Sequence, residues 1–558
     1  MYNSAQRIKE RFDNLKSQRG ELNTRMEELT SLLYPYKGNS QSKMWDTTGS
    51  EACIKLSSIL SSLITPPGQK WHGLAEPFFA HQAFLYEEDA GGDAGAKKNR
   101  EWCDQVTDTL FGYRERSGSG FVGCLQSFYA SIVEFGTGCF YIEADVDEQG
   151  SEEGIRYIAV PLADVYLSVN HQNEVDSVYR TFEFTAEQVA CKWGEESLSS
   201  RMRSSLGKKD TNKFTFIHAV YPKTVAERKK GQGKKSFHSQ FICVDEKRFF
   251  EEKQIATLPY IVGRYRVRAG EIYGKSPAME ALPTIRRLNE TVSELSQYAC
   301  LALNPPLLAP AEAKGREFKF KSGYTNLGTI SKEGKALFQP FQFGNPVPYH
   351  DELKRLKESI HSLFLLDLFQ VLDDKASRSA AESMEKTREK GAFVGPLIGG
   401  LQSEFIGAMI KRELDILDSQ GKLPEPNDTD HPHVSVLKVE YTSPLFKYQQ
   451  AESVSSVLQG TNTVLELGAK TGDPSCMDHI DIDKVSRFAL WASNTPAILM
   501  RGLDDVKDIR QERADQMKEM QTKQLEDQRQ KTGMEIGAKA AGKALEKKMT
   551  NDMMGNSL

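Results

Sequence analysis

The chain is short of the features that mark most chemistries. Its eight cysteines (53, 103, 124, 139, 191, 243, 300 and 476) stand singly, with no CxxC pair. That spacing excludes a zinc ribbon, and a dense disulfide framework belongs to much shorter secreted chains. The expected state is buried, reduced thiols in a cytosolic compartment. No run approaches the ~18 uninterrupted apolar residues of a membrane span. The opening Met1-Tyr2-Asn3-Ser4 leads into a charged helical pattern without a signal-peptide core. Cationic excess is missing too. The net charge of −5 rules out a chain saturated with nucleic-acid-binding cations, although it allows local basic patches, or a passage through which nucleic acid slides without sticking. Catalytic signatures are absent as well: no HExxH, no Gly-x-Ser-x-Gly elbow, and His431-Pro-His433 lies in a Pro/Asp-rich turn without a Cys partner. No metal, cofactor or reaction is expected.

What is present is length and helical pattern. With 558 residues, 39% hydrophobic and 27% charged, the chain can bury a large core and should form two or more domains. The organising stretch is 273–372. From Ala281 the apolar positions fall at Ala281, Ile285, Leu288, Val292, Leu295, Ala299 and Ala302, in steps of four and three. That is the spacing of a helix laid against other helices over its whole length. Pro277 suits a first turn, Pro283 marks a kink or a later start, and Pro305-Pro306 stops the helix. At ~1.5 Å per residue, 277–303 would span about 40 Å. A return helix, 351 to about 372, carries Leu353, Leu356, Ile360, Leu363 and Phe364 on one stripe. Between the two, 304–350 is rich in Pro and Gly and reads as a small β-containing module. The pair looks like a stalk with a sticky stripe, which identical neighbours in a ring would bury best. Its other face could line a channel with Arg286, Arg287, Glu290, Glu294, Lys354 and Lys357, and those mixed signs suit passage better than grip.

Around this stretch the fold class reads as α+β. A charged amphipathic helix, broken near Gly20, covers 4–34, and further helices are expected over 51–64, 99–113 and 121–135. From Gly136 the period changes to strands over 139–145, 156–160, 165–169, 178–185, 214–221, 236–244 and 260–267, with basic hairpin tips over 200–213 and 224–235. After the polar loop 373–378 comes a long helical pattern to about 419, kinked by Gly395-Pro396 and Gly399-Gly400. A strand over 434–441 follows, then helices over 447–469 and 482–492. A charged tail helix over 504–531 has only a thin apolar stripe, and a segment from Gly533 is expected to lack order.

One motif imitates a nucleotide site. Ala269-Gly270-Glu271-Ile272-Tyr273-Gly274-Lys275-Ser276 fits a relaxed P-loop, with Lys275 for phosphates and Ser276 for Mg²⁺. The first Gly is missing, and Pro277 removes an N–H that should face phosphate. A turn entering the stalk is the favoured reading. A packaging enzyme hydrolysing nucleotide with Lys275 is the alternative.

These residues resemble a known family. Trp45-Asp46-Thr47-Thr48-Gly49-Ser50, Leu63-Ile64-Thr65-Pro66-Pro67 with Trp71, then Gly270 to Ala278, Leu288-Asn289 and Asn304-Pro305-Pro306 look like portal proteins, the head-to-tail connecting proteins of short-tailed, podovirus-type bacteriophages. The likeness covers about the first two-thirds in order, and the rest matches by pattern. It implies a non-enzymatic ring, expected to be a dodecamer, at one capsid vertex of the virion, assembled in the host cytoplasm without membrane or cofactor. Double-stranded DNA would pass through it. The implied parts are a wing over 1–276 and 379–500, stem helices over 277–303 and 351–372, a clip over 304–350, a tunnel loop over 373–378 and a crown over 501–558. Lys375 and Arg378 would approach the DNA most closely. In the clip, Lys314, Arg316, Lys319 and Lys321 would help dock the terminase motor (its large subunit), then the tail adaptor. Capsid and scaffold proteins would surround the ring.

Overall fold

The computed structural model describes residues 5–34, 44–75, 93–146, 152–206, 212–230, 235–308, 347–367, 399–425, 437–441, 480–492 and 503–554, with scattered positions between 319 and 341 and between 457 and 470. They divide into two compact units: Met1–Pro77, Gln105–Glu425 and Pro432–Ser493 form the first, and Phe78–Asp104, Pro426–His431 and Asn494–Leu558 the second. Helix and sheet are mixed, as the α+β reading expected.

The charged N-terminal pattern folds as α1 (Ala5–Gln18) and α2 (Gly20–Leu33). Arg19 separates them. Its guanidinium donates from Nη1 to the Leu162 carbonyl at 2.8 Å and to the Val165 carbonyl, and from Nη2 to the Ala163 carbonyl at 2.8 Å. The cation thus satisfies the carbonyls of a tight turn and stacks 4.3 Å from the Tyr166 ring. Then come α3 (Thr48–Ile64), β1 (His72–Ala75), α4 (Asp93–Glu115) and α5 (Phe121–Phe135). Helix α3 starts three residues before the expected position, because the Asp46 carboxylate accepts from the Thr48 N–H at 2.8 Å.

Two antiparallel sheets follow. One has three strands in the order β3 (Glu152–Ala159), β2 (Thr137–Val146), β9 (Tyr260–Arg264). The other is a meander of β4 (Val165–Val169), β5 (Val175–Thr185), β6 (Lys213–Pro222), β7 (Phe237–Cys243) and β8 (Arg248–Ile255). Helix α6 (Ala186–Trp193), opened by a Thr185/Gln188 capping box, lies between β5 and β6. The five-stranded sheet is covered on both faces. Ile8, Phe12 and Leu15 of α1 pack on Tyr179, Ile217 and Ile242. On the other side Val178 and Val220 meet Cys139 and Val262 of the smaller sheet, while Val189 of α6 covers Phe216. The basic tips are partly helical where they are described, with 207–211 and 231–234 outside the described residues. Helix α7 (Ser200–Arg203) buries Met202, and α8 (Val225–Lys230) forms a short turn of helix.

Helix α9 (Pro277–Leu303) and helix α10 (Val347–Leu363) pack together, with β10 (Leu307–Leu308) and β11 (Gln339–Pro340) paired between them in the chain. Regular helix in α10 is interrupted after Leu363, Leu366 and Asp367 are helical again, and the expected end near 372 lies outside the described residues. After residues 368–398, which lie outside the described set, Gly399-Gly400 leads into a π-helical turn (Gln402–Ile406) and α11 (Gly407–Ser419). Gly399 and Gly400 are themselves helical and the π-helical turn begins two residues after them, whereas the proposed kink at Gly395-Pro396 is outside the described residues. Strand β12 (Lys438–Tyr441) pairs with β1, and α12 (Ile482–Ala492) has its expected bounds. In the second unit α13 (Leu503–Met554) is one helix of 52 residues. The expected loss of order at Gly533 does not occur. Ala, Lys, Glu and Met dominate that stretch, and each glycine costs only about 1 kcal/mol against alanine.

Among the described cysteines, Cys53, Cys103, Cys124, Cys139 and Cys243 are buried thiols, but Cys191 and Cys300 are exposed. No described helix is long and apolar enough to cross a membrane.

Candidate functional site

The helix pair is rooted at residues 274–276. Ser276 is fully buried and caps α9: its Oγ accepts from the Met279 N–H at 2.9 Å and donates to the Glu134 carbonyl at 2.7 Å. Gly274 donates its N–H to Thr137 Oγ1 at 2.9 Å. Its backbone lies so close to Gly136, at φ +79°, that a Cβ on either would stand 2.2 Å from the other's carbonyl oxygen. Gly136 also ends α5 in the left-handed conformation, so glycine is required twice over there. Lys275 Nζ pairs with Glu271 at 2.9 Å. The apparent P-loop is thus a packed turn. Its serine is spent on capping, and its glycine backbone faces another backbone.

From this root the stripe on α9 is buried through Ala278, Ala281, Leu282, Ile285, Leu288 and Thr291. Ile285 reaches Gly49 of α3, which Leu33 of α2 also contacts. Beyond Thr291 the periodicity continues, but Val292 and Leu295 are only half-buried and Ala299 and Ala302 are exposed. At the far end Leu301 and Leu303 are 46% and 80% exposed. Helix α10 buries Leu356 and Ile360, followed by Phe364, while Leu353 is half-buried and Leu363 exposed.

The four cationic channel candidates among the described residues are all ion-paired within the chain. Arg286 Nε donates to Glu28 of α2 at 2.8 Å, and Lys357 Nζ lies 2.9 Å from Asp46. Beside these, Asn289 Oδ1 accepts the Trp45 N–H at 2.6 Å. These three contacts join the pair to the N-terminal segments. The Asp46 carboxyl is held below the usual range: burial works to raise it, but the Thr48 and Lys357 contacts win. Arg287–Glu290 (3.8 Å) and Lys354–Glu358 (3.9 Å) are solvated pairs along one helix face, worth a few tenths of a kcal/mol. Lys375, Arg378, Lys314, Arg316 and Lys321 lie outside the described residues. Lys319 is described and exposed.

Sequence reasoning missed the buried charges that fix the platform under this root. Arg114 of α4 donates to both carboxylate oxygens of Glu413 on α11, at 3.0 and 2.5 Å, and the Tyr157 hydroxyl donates to Oε1 at 2.6 Å. Arg114 Nη1 also reaches His72 Nε2 at 2.5 Å and stacks 4.7 Å from the Trp71 ring. Burial, then the Arg114 charge, hold His72 well below the ordinary histidine range, so its Nε2 accepts. A second pair, Arg264–Glu404 at 2.6 Å, ties β9 to the π-helical turn. The partners are too distant in sequence for any spacing to have indicated them. Among the described residues no group of three or more His, Cys, Asp or Glu side chains is placed to hold a metal ion.

Comparison with known proteins gives the family. A chain from the neck of an empty GTA particle, computed with C6 symmetry, matches at 12% identity over 77% of this chain and 88% of that one, with a TM-score of 0.34. The portal protein of Salmonella phage epsilon15 is 26% identical over 485 residues, 85% of this chain and 83% of that protein. The probable portal protein of Bordetella phage BPP-1 is 24% identical over 548 residues, 95% and 94% of the two lengths. A family model described as "Bacteriophage head to tail connecting protein" matches residues 5–500. The chain belongs to the bacteriophage head-to-tail connecting protein family.

Proposed function

We propose that copies of this chain close into a ring, a dodecamer, at one capsid vertex of the virion, after assembly in the host cytoplasm. The ring is a portal: double-stranded DNA enters through it during packaging and leaves through it during ejection. The observation that carries this reading is the stripe on α9. It continues past the point where the chain itself covers it, leaving Val292, Leu295, Ala299 and Ala302 partly or fully open, with Leu301 and Leu303 exposed on either side of its end. An identical neighbour offers the same stripe, and closure around an axis covers every copy at once. In this reading α9 and α10 form the stem, 304–350 the clip, 373–378 a tunnel loop, and α13 part of a crown.

Arg286, Arg287, Lys354 and Lys357 then stand near the passage with their charge already matched by carboxylates. Matched charges weaken grip on phosphate and favour sliding. Lys375 and Arg378 approach the DNA most closely. Lys314, Arg316, Lys319 and Lys321 contribute to the clip surface that meets the terminase large subunit and then the tail adaptor, with capsid and scaffold proteins outside. Nucleotide hydrolysis at Lys275 is not favoured, because Ser276 is committed to the α9 cap and Lys275 to Glu271.

The test is to replace Leu301 and Leu303 together by aspartate. Both are open in the single chain, so folding is expected to survive while ring formation, read by native mass spectrometry, is lost. Burial of each leucine at an interface contributes about 2 kcal/mol. A ring of unchanged size and stability in the double variant would refute the reading. Separately, Lys375→Ala/Arg378→Ala is expected to assemble normally and to alter DNA packaging or retention. Unchanged packaging would remove these two residues from the mechanism.

A further inference from the structure

The end of α10 contains a backbone conformation that its sequence does not call for. Residues 363–372 read Leu-Phe-Leu-Leu-Asp-Leu-Phe-Gln-Val-Leu, without glycine or proline and with good helix formers in most places. Regular helix nevertheless stops at Leu363. Phe364 still donates its N–H to the Ile360 carbonyl at 3.0 Å, but Leu365 turns to the Ser362 carbonyl at 3.0 Å and adopts φ +57°. That left-handed well is disfavoured for any residue with a Cβ, and helix ends that use it usually place glycine there.

The reason the break persists lies on either side of it. Phe364 continues the buried stripe of Leu356 and Ile360 and is 0% exposed, yet Leu366 is also buried, at 2%. In an unbroken helix two residues apart means about 200° around the axis, so the two side chains would leave on nearly opposite sides. Burial of Leu366 therefore favours the break. The left-handed Leu365 and the lost helical hydrogen bonds oppose it. Two opposed contributions in one short segment are what a two-state element needs.

We propose that Leu363–Leu366 is a helix-extension hinge, with one state broken at Leu365 and another in which regular helix runs through Leu365 to at least Asp367. Rewinding turns Leu366 out of the core and changes the direction in which the chain leaves α10. Any surface that accepts Leu366 then selects the extended state. The hinge belongs to the single chain and does not depend on ring closure.

The two opposing contributions can be removed one at a time. Leu365→Gly relieves the strain of the broken state and disfavours helix, so it shifts the population toward the break. Leu366→Ala removes the burial that holds the break, so it shifts the population toward extension. Amide hydrogen exchange of the intact protein, read on peptides covering 363–368, is expected to show protection falling about fivefold or more in Leu365→Gly and rising about fivefold or more in Leu366→Ala. Peptides from 351–360 should stay within about twofold of the parent and report that the rest of α10 is intact. Movement of both variants in one direction, or protection within twofold of the parent in Leu365→Gly, would overturn the hinge.

Discussion

Replacing Glu413 by glutamine keeps the shape of the side chain and removes its charge. In the parent, Glu413 accepts two hydrogen bonds from Arg114 and one from Tyr157, and the Arg114 and Glu413 side chains are 1% and 0% exposed. The variant presents an NH₂ group to a guanidinium, donor against donor, and leaves a cation in the interior without its counter-charge. Removing one member of such a buried pair costs on the order of 3–5 kcal/mol. Removing both, as Arg114→Met/Glu413→Leu, should cost clearly less than the single change, because no uncompensated charge remains. Urea unfolding followed by tryptophan fluorescence is a suitable assay, since Trp71 stacks on Arg114. A cost below about 1 kcal/mol for Glu413→Gln, or a double variant less stable than the single one, would refute the claim that this pair fixes the platform.

Three further outcomes follow from the same coordinates. Gly274→Ala places a Cβ 2.2 Å from the Gly136 carbonyl oxygen and should abolish soluble folded protein, whereas Gly112→Ala, in α4 with nothing within 4 Å, should gain about 0.5–1 kcal/mol in a thermal melt. Asp46→Asn keeps an acceptor for the Thr48 N–H but removes the charge that pairs with Lys357, and should cost about 0.5–1 kcal/mol at pH 6. Because the folded-state pKa of Asp46 is depressed, that difference is fully present above about pH 4 and is lost as pH falls through the lower folded-state value; a difference that grew on acidification would contradict the assignment. Burial, then the Glu413 charge, hold the Tyr157 hydroxyl well above the tyrosine range, so this contribution is intact below about pH 10 and is lost as pH rises past it. Tyr157→Phe should flatten that alkaline slope in pH-dependent melts.

The elements legible in the sequence were those whose signal is local. Phe121–Phe135, Val165–Val169 and Ile482–Ala492 fall where periodicity and flanking breakers put them. Strand β8 escaped because Arg-Phe-Phe-Glu-Glu-Lys-Gln-Ile lacks clean alternation. It is an edge strand, where charge guards against stray pairing. The Thr185/Gln188 box before α6 was a readable signal that went unread. The break at Leu365 carries no such signal, since the run around it has neither glycine nor proline. The same division holds at the candidate site. Arg287–Glu290 and Lys354–Glu358 are implied by helical spacing, while Arg286–Glu28, Lys357–Asp46 and Arg114–Glu413 join residues that only the fold brings together.

End-on electron microscopy of the purified protein, with its mass measured under native conditions, bears most directly on the open stripe of α9. The expected result is a closed ring of identical copies around a central hole wide enough for duplex DNA. A monomer at high concentration, with Leu295, Leu301 and Leu303 folded away inside one subunit, would contradict it.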